Sequence, residues 1–140
     1  MRASFQTLAR AAAVCACSLI PWIPGVVQAQ PAAVHMSEDG GAQYVCGGVG
    51  SDESVAMRAA MKDHPLSLLF ARASGAYLAD VAVTVKDAGG TTALAMRASG
   101  PVCLVDLPAG RYTVEAESEG VTKIQVVTLG GGSKTADFRF

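Results

Sequence analysis

The chain has 140 residues with 11 basic and 12 acidic side chains, a formal charge of −1. A balance this close to neutral, with no clustered basic run, excludes the electrostatic footprint of a nucleic-acid-binding protein.

MRASFQTLAR carries two arginines and no acid, and leads into the uncharged AAAVCACSLIPWIPGVV and the small residues around Val27-Gln28-Ala29. Basic, then apolar, then small is the order of a secretory signal peptide, here residues 1–29 with cleavage after Ala29. Pro21 and Pro24 interrupt a run already short for a bilayer, so no membrane span is expected after cleavage. Lipidation at Cys17 is the rival reading of Val14-Cys15-Ala16-Cys17, and it would leave LIPWIPGVV as an exposed apolar segment. Either way the protein is expected in the periplasm or outside the cell. Residues 30–140 then suffice for one domain with a modest core. Without Arg2 and Arg10 they carry nine basic against 12 acidic side chains.

Export also changes the cysteine count. Cys15 and Cys17 leave with the signal, and Cys46 and Cys103 remain. Two small buried hydrophobes is one reading of that pair; an oxidising compartment favours the other, a disulfide.

Residues 30–43 show no sustained periodicity and read as a flexible leader before a domain over 44–140. Gly47-Gly48-Val49-Gly50 is a glycine-rich break that lacks the Lys-Ser/Thr of a phosphate loop. A short helix is expected over about 51–63: Ser51 can cap it, Asp52 and Glu53 suit its positive end, and His64-Pro65 stops it. After Pro65 the pattern alternates with period two. LSLLFAR, ADVAVTVKD, TTALAMRAS, RYTVEAES, VTKIQVVTL and TADFRF read as strands. VCLVDL is nearly continuous in apolar residues, as expected where both faces of a strand are covered. Asp87-Ala88-Gly89-Gly90 and Leu107-Pro108-Ala109-Gly110 are turns. Tyr112, Val114, Val83, Val85, Leu104 and Ile124 are the expected core. The whole reads as mainly β, a seven-stranded antiparallel sandwich preceded by one short helix.

DVAVTVKDAGG, SGPVCLVDLPAGRYTVEAE and KIQVVTL together resemble the carboxypeptidase regulatory-like domain, over roughly residues 76–130. The carrying motifs are Asp87 to Gly90 and the signature Leu107, Pro108, Gly110, Tyr112 and Val114. The resemblance implies a prealbumin-like (transthyretin-like) β-sandwich. In that family such domains accompany peptidases, transporters and adhesins, or stand alone in bacterial envelopes. A hydrolase of 5-hydroxyisourate shares the fold, but its C-terminal Tyr-Arg-Gly-Ser is missing from a chain that ends Asp137-Phe138-Arg139-Phe140.

No nucleophile constellation stands out, because the only histidines are His35 in the leader and His64 at the helix stop. Glu115, Glu117 and Glu119 share one face of a strand and read as solvated. Met57, Met61 and His64 share one side of the helix, a soft donor set that suits Cu(I); core packing is the plainer account of such a stripe. The expectation is therefore an exported, non-catalytic module without a cofactor, which binds an envelope protein or supports an assembly. The alternative is a periplasmic inhibitor of a cell-wall enzyme of the lysozyme-inhibitor type, suggested by Tyr44-Val45-Cys46 and by Ser74-Gly75-Ala76-Tyr77.

Overall fold

The computed structural model describes residues 42–140 together with the strand Ser37–Asp39. The expected signal peptide with Cys15 and Cys17, and His35 of the expected leader, lie outside the described residues. The order of elements is β1 (Ser37–Asp39), β2 (Ala42–Gly47), α1 (Ser51–Ala60), a 3-10 turn (Met61–Asp63), β3 (Leu66–Ala71), β4 (Val81–Asp87), β5 (Thr92–Ala98), β6 (Val102–Asp106), β7 (Gly110–Ser118), β8 (Val121–Leu129) and β9 (Lys134–Arg139). The protein is mainly β. One sheet runs β1-β2-β6-β3-β9 and the other β5-β4-β7-β8.

The expected seven antiparallel strands need two corrections. Among the described residues eight strands have five or more residues, four in each sheet, and the three-residue β1 extends one edge. All sheet neighbours are antiparallel except β3 and β9, which pair in parallel from Leu66↔Lys134 to Ala71↔Arg139. The chain reaches β9 only after building the whole second sheet, so it re-enters beside β3 in the same direction. Residues 37–39 and 42–43, read from the sequence as part of a leader, belong to β1 and β2 and pair with each other.

Alternation in sequence becomes burial by face. Val81, Val83 and Val85 of β4, Leu94 and Met96 of β5, and Tyr112, Val114 and Ala116 of β7 enter one apolar cluster. Leu66, Leu68 and Phe70 of β3, Cys103 and Val105 of β6, and Ala136 and Phe138 of β9 join it from the other sheet. The rings of Phe70 and Phe138 stack at 5.7 Å between centroids.

β6 is covered twice. Its alternate residues Val102 and Leu104 face away from the shared cluster, into a second one closed by Met57 of α1. The continuous apolar run VCLVDL is explained by this double cover. Ile124, expected in the core, is instead exposed: Val127 and Leu129 of β8 turn inward, which sends Ile124 and Val126 outward.

Local chemistry fixes the ends of these elements. Gly50, not Ser51, is the N-cap of α1. No side-chain bond caps it; the Glu53 carboxylate instead accepts the Val49 N–H at 3.1 Å. Glycine is required where β2 ends, because a Cβ at Gly100 would collide with the Gly47 carbonyl. In the β4–β5 turn the Asp87 carboxylate accepts N–H groups of Gly89 and Thr91, both at 2.9 Å, and Gly90 takes φ +81. That is the physical content of Asp-x-x-Gly.

Cys46 and Cys103 are directly opposite on β2 and β6 and form a disulfide, with Cα atoms 4.1 Å apart. The bond spans 57 residues of sequence, worth about 2–4 kcal/mol in the chain-entropy account.

The Tyr112 ring is buried, and its hydroxyl donates to the Pro108 carbonyl at 2.9 Å. Replacing Tyr112 by Ala should cost about 3–5 kcal/mol in a denaturant melt. Tyr112→Phe, which removes only the hydrogen bond, should cost about 0.5–1.5 kcal/mol. Equal losses for the two would show that the ring contributes little. Ser67 of β3 is fully buried and its hydroxyl has no hydrogen-bond partner. Ser67→Ala should accordingly leave the melting midpoint unchanged or raise it.

Candidate functional site

Loops held at one end of a rigid sheet are where binding residues concentrate. Here three connections meet: the segment leaving the helix, Lys62 to Pro65; the turn between β6 and β7, through Leu107 and Ala109; and the glycine-rich link from β8 to β9, Gly130 to Ser133. They line an open cleft of about 330 Å³, with Leu129 contributing apolar wall. The parallel pairing of β3 with β9 brings the first and third together, and the Lys134 N–H donates to the Pro65 carbonyl at 2.9 Å.

His64 lies on this cleft, with its Nδ1 2.7 Å from Asp106 Oδ1. An ionised carboxylate only accepts, so the imidazole carries its proton on Nδ1 and donates it to Asp106. Nε2 is then the ring nitrogen left for a ligand. Lys62 and Asp63 add one charge of each sign, and Ser133 adds a hydroxyl. Ser133 is not hydrogen-bonded to His64. The cleft is suited to holding a polar group of a partner by several modest contacts.

The sequence did not point to Asp106 as a partner of His64. The two are 42 residues apart, and only the packing of the helix end beside the end of β6 joins them. The methionine stripe goes elsewhere: Met57 is buried on Val102 and Leu104, and Met61 is partly buried in the same cluster. Met57, Met61 and His64, the candidate copper donors, are therefore divided between the sheet and Asp106. Among the described residues no group of three or more His, Cys, Asp and Glu side chains is placed to hold a metal ion.

The Ser74-Gly75 loop is a tight exposed turn, closed by Gly75 N–H to the Arg72 carbonyl at 2.8 Å and by an Ala71–Tyr77 bridge. Tyr77 stays exposed beside a shallow groove of about 120 Å³ with Val49 and Pro101. The Arg58 guanidinium lies 5.4 Å from the centre of its ring and donates to its hydroxyl at 2.8 Å.

Glu115 and Glu117 share the outward face of β7 as expected, but Glu119 does not. Glu115 pairs with Lys86 at 3.1 Å on the β7 surface, whereas Glu119 has left the strand for the turn, at φ +50, and receives Arg72 through two nitrogens at 2.9 and 3.3 Å.

No protein-family model matches the chain, and no curated protein matches it at a significant level of similarity.

Hydrogen bonds from Arg72, and then its charge, hold the Glu119 carboxyl below the usual carboxylate range. A depressed folded value stabilises above the unfolded value, and the effect is lost as pH falls through the folded one. Both side chains are solvent-exposed, so the effect on stability is small. It should be visible as a low Glu119 midpoint in a carbon-detected titration, and Arg72→Ala should return that midpoint to the ordinary range. An unchanged midpoint in the variant would remove the pairing.

Proposed function

We propose that this is an exported, non-catalytic accessory module of the bacterial envelope, a stand-alone carboxypeptidase regulatory-like domain with a prealbumin-like sandwich. It binds another envelope protein through the loop end described above. The observation that carries this reading is the role of the motif residues. Asp87 and Gly90 close a turn through side-chain and backbone bonds. Leu107 to Val114 form a turn and an inward-facing strand whose tyrosine ties back to Pro108. Both uses are architectural, and they leave the loops free to carry contacts. Residues 1–29 serve as the signal peptide in this reading, and the Cys46–Cys103 disulfide and the lack of any long apolar helix among the described residues are compatible with export.

The exposed turn at Ser74, with Tyr77 beside it, supports the second reading, an inhibitor that inserts this turn into a cell-wall hydrolase. Tyr77 offers a large aromatic contact of the kind that dominates protein interfaces.

In-cell crosslinking and capture of the tagged chain should recover one reproducible envelope protein and lose it in a His64→Ala, Ser133→Glu variant. Retention by that variant together with loss in Tyr77→Ala would move the contact to the Ser74 turn, and inhibition of lysozyme by the pure protein would then establish the second reading.

A further inference from the structure

A sheet edge presents a row of unpaired N–H and C=O groups, and folded proteins protect such edges with short strands, bulges, prolines or charges. Among the described residues the two sheets have four edges, and three are protected in these ways. β1 has three residues. β9 carries Lys134, Asp137 and Arg139, and its Asp137 carbonyl already accepts the Gln125 side chain at 2.6 Å. β5 has a register shift in its pairing, opposite Val85 and Lys86, and displays Arg97. β8 is different. It is nine residues long, VTKIQVVTL, pairs with β7 in unbroken register from Gly110↔Leu129 to Ser118↔Val121, and has no proline and one charge. Its surface is apolar for an edge, with Val121 48%, Ile124 60% and Val126 52% exposed.

We propose that β8 is the interface at which this protein pairs with a second copy of itself, antiparallel and centred on Gln125. The strand is close to a palindrome about that residue: Ile124 falls opposite Val126 of the second copy, Thr122 opposite Thr128, and Val121 opposite Leu129. A two-fold contact requires such self-complementarity, because each side presents the same patch. Ile124 and Val126, both exposed on one sheet face, then form two equivalent cross-strand pairs of β-branched residues.

Charge fits the same arrangement. Lys123 is the single charge of β8, and antiparallel pairing sets it opposite Val127 of the second copy, whereas parallel pairing in register would place the two lysines side by side. This interface lies on a strand edge and does not depend on what the loop-end cleft binds.

Sedimentation velocity of the purified protein across a hundredfold range of concentration, about 1–100 μM as in ordinary dimer titrations, should show a concentration-dependent dimer. An Ile124→Lys, Val126→Lys variant should be monomeric throughout and should melt as the wild-type protein does at concentrations where that is monomeric, because both side chains are exposed in the single chain. Gln125→Cys, which also releases the Asp137 carbonyl of β9, should form a disulfide-linked dimer on mild oxidation and lose it when Ile124→Lys and Val126→Lys are added, whereas Thr122→Cys, opposite Thr128 and not itself, should not crosslink. A monomer at every concentration, a dimer that survives the double variant, or equal crosslinking at both cysteines would overturn the proposal.

Discussion

The structure turns on β6. All four of Val102, Cys103, Leu104 and Val105 are fully buried, and successive side chains enter different clusters. Cys103 and Val105 reach the core that draws on both sheets, while Val102 and Leu104 receive the helix. β2 and β3 flank it, so this five-residue strand joins the disulfide, the methionine face of α1 and the strand that aligns β9. A charge at any of these four positions has no route to water. The helix likewise depends on β6: α1 has only ten residues, too few to be stable in isolation, and the burial of Met57 supplies much of what propensity does not.

The loop-end cleft follows from the same arrangement. β6 ends at Asp106, which the fold sets beside His64, and the next residues are the Leu-Pro-Ala-Gly turn. Tyr112 anchors that turn from inside. The wall of the cleft is thus held by a buried ring, and the glycine-rich opposite wall is held where β9 joins β3. The cleft is thus positioned by the core although its own residues are mostly exposed.

The parts legible in the sequence were those where one local rule acts alone. VCLVDL announced its two covers, Asp-x-x-Gly its turn, and the spacing of Met57 and Met61 a packed helix face. VTKIQVVTL was ambiguous because apolar residues occupy both parities: Val121, Val127 and Leu129 on one, Ile124 and Val126 on the other. Only the partner strand decides which face turns inward, and Gly110↔Leu129 sets it against Ile124. The parallel return of β9 is a property of topology that no window of the sequence contains. His64 was visible as a helix stop, but its carboxylate lies 42 residues on and across a strand boundary, beyond any local pattern.

The position of the disulfide has a mechanical consequence. Suppose the chain is pulled between its first described strand and Phe140. The bond from β2 to β6 carries that load directly, and the 56 residues from Gly47 to Val102 lie inside the closed loop. At the extended length of a chain this withholds roughly 190 Å of contour from stretching. The helix and strands β3, β4 and β5 are therefore shielded from tension between the ends, and only the segments outside the loop can pay out. While the bond is intact, the molecule behaves under load as a short tether with a rigid body attached to it.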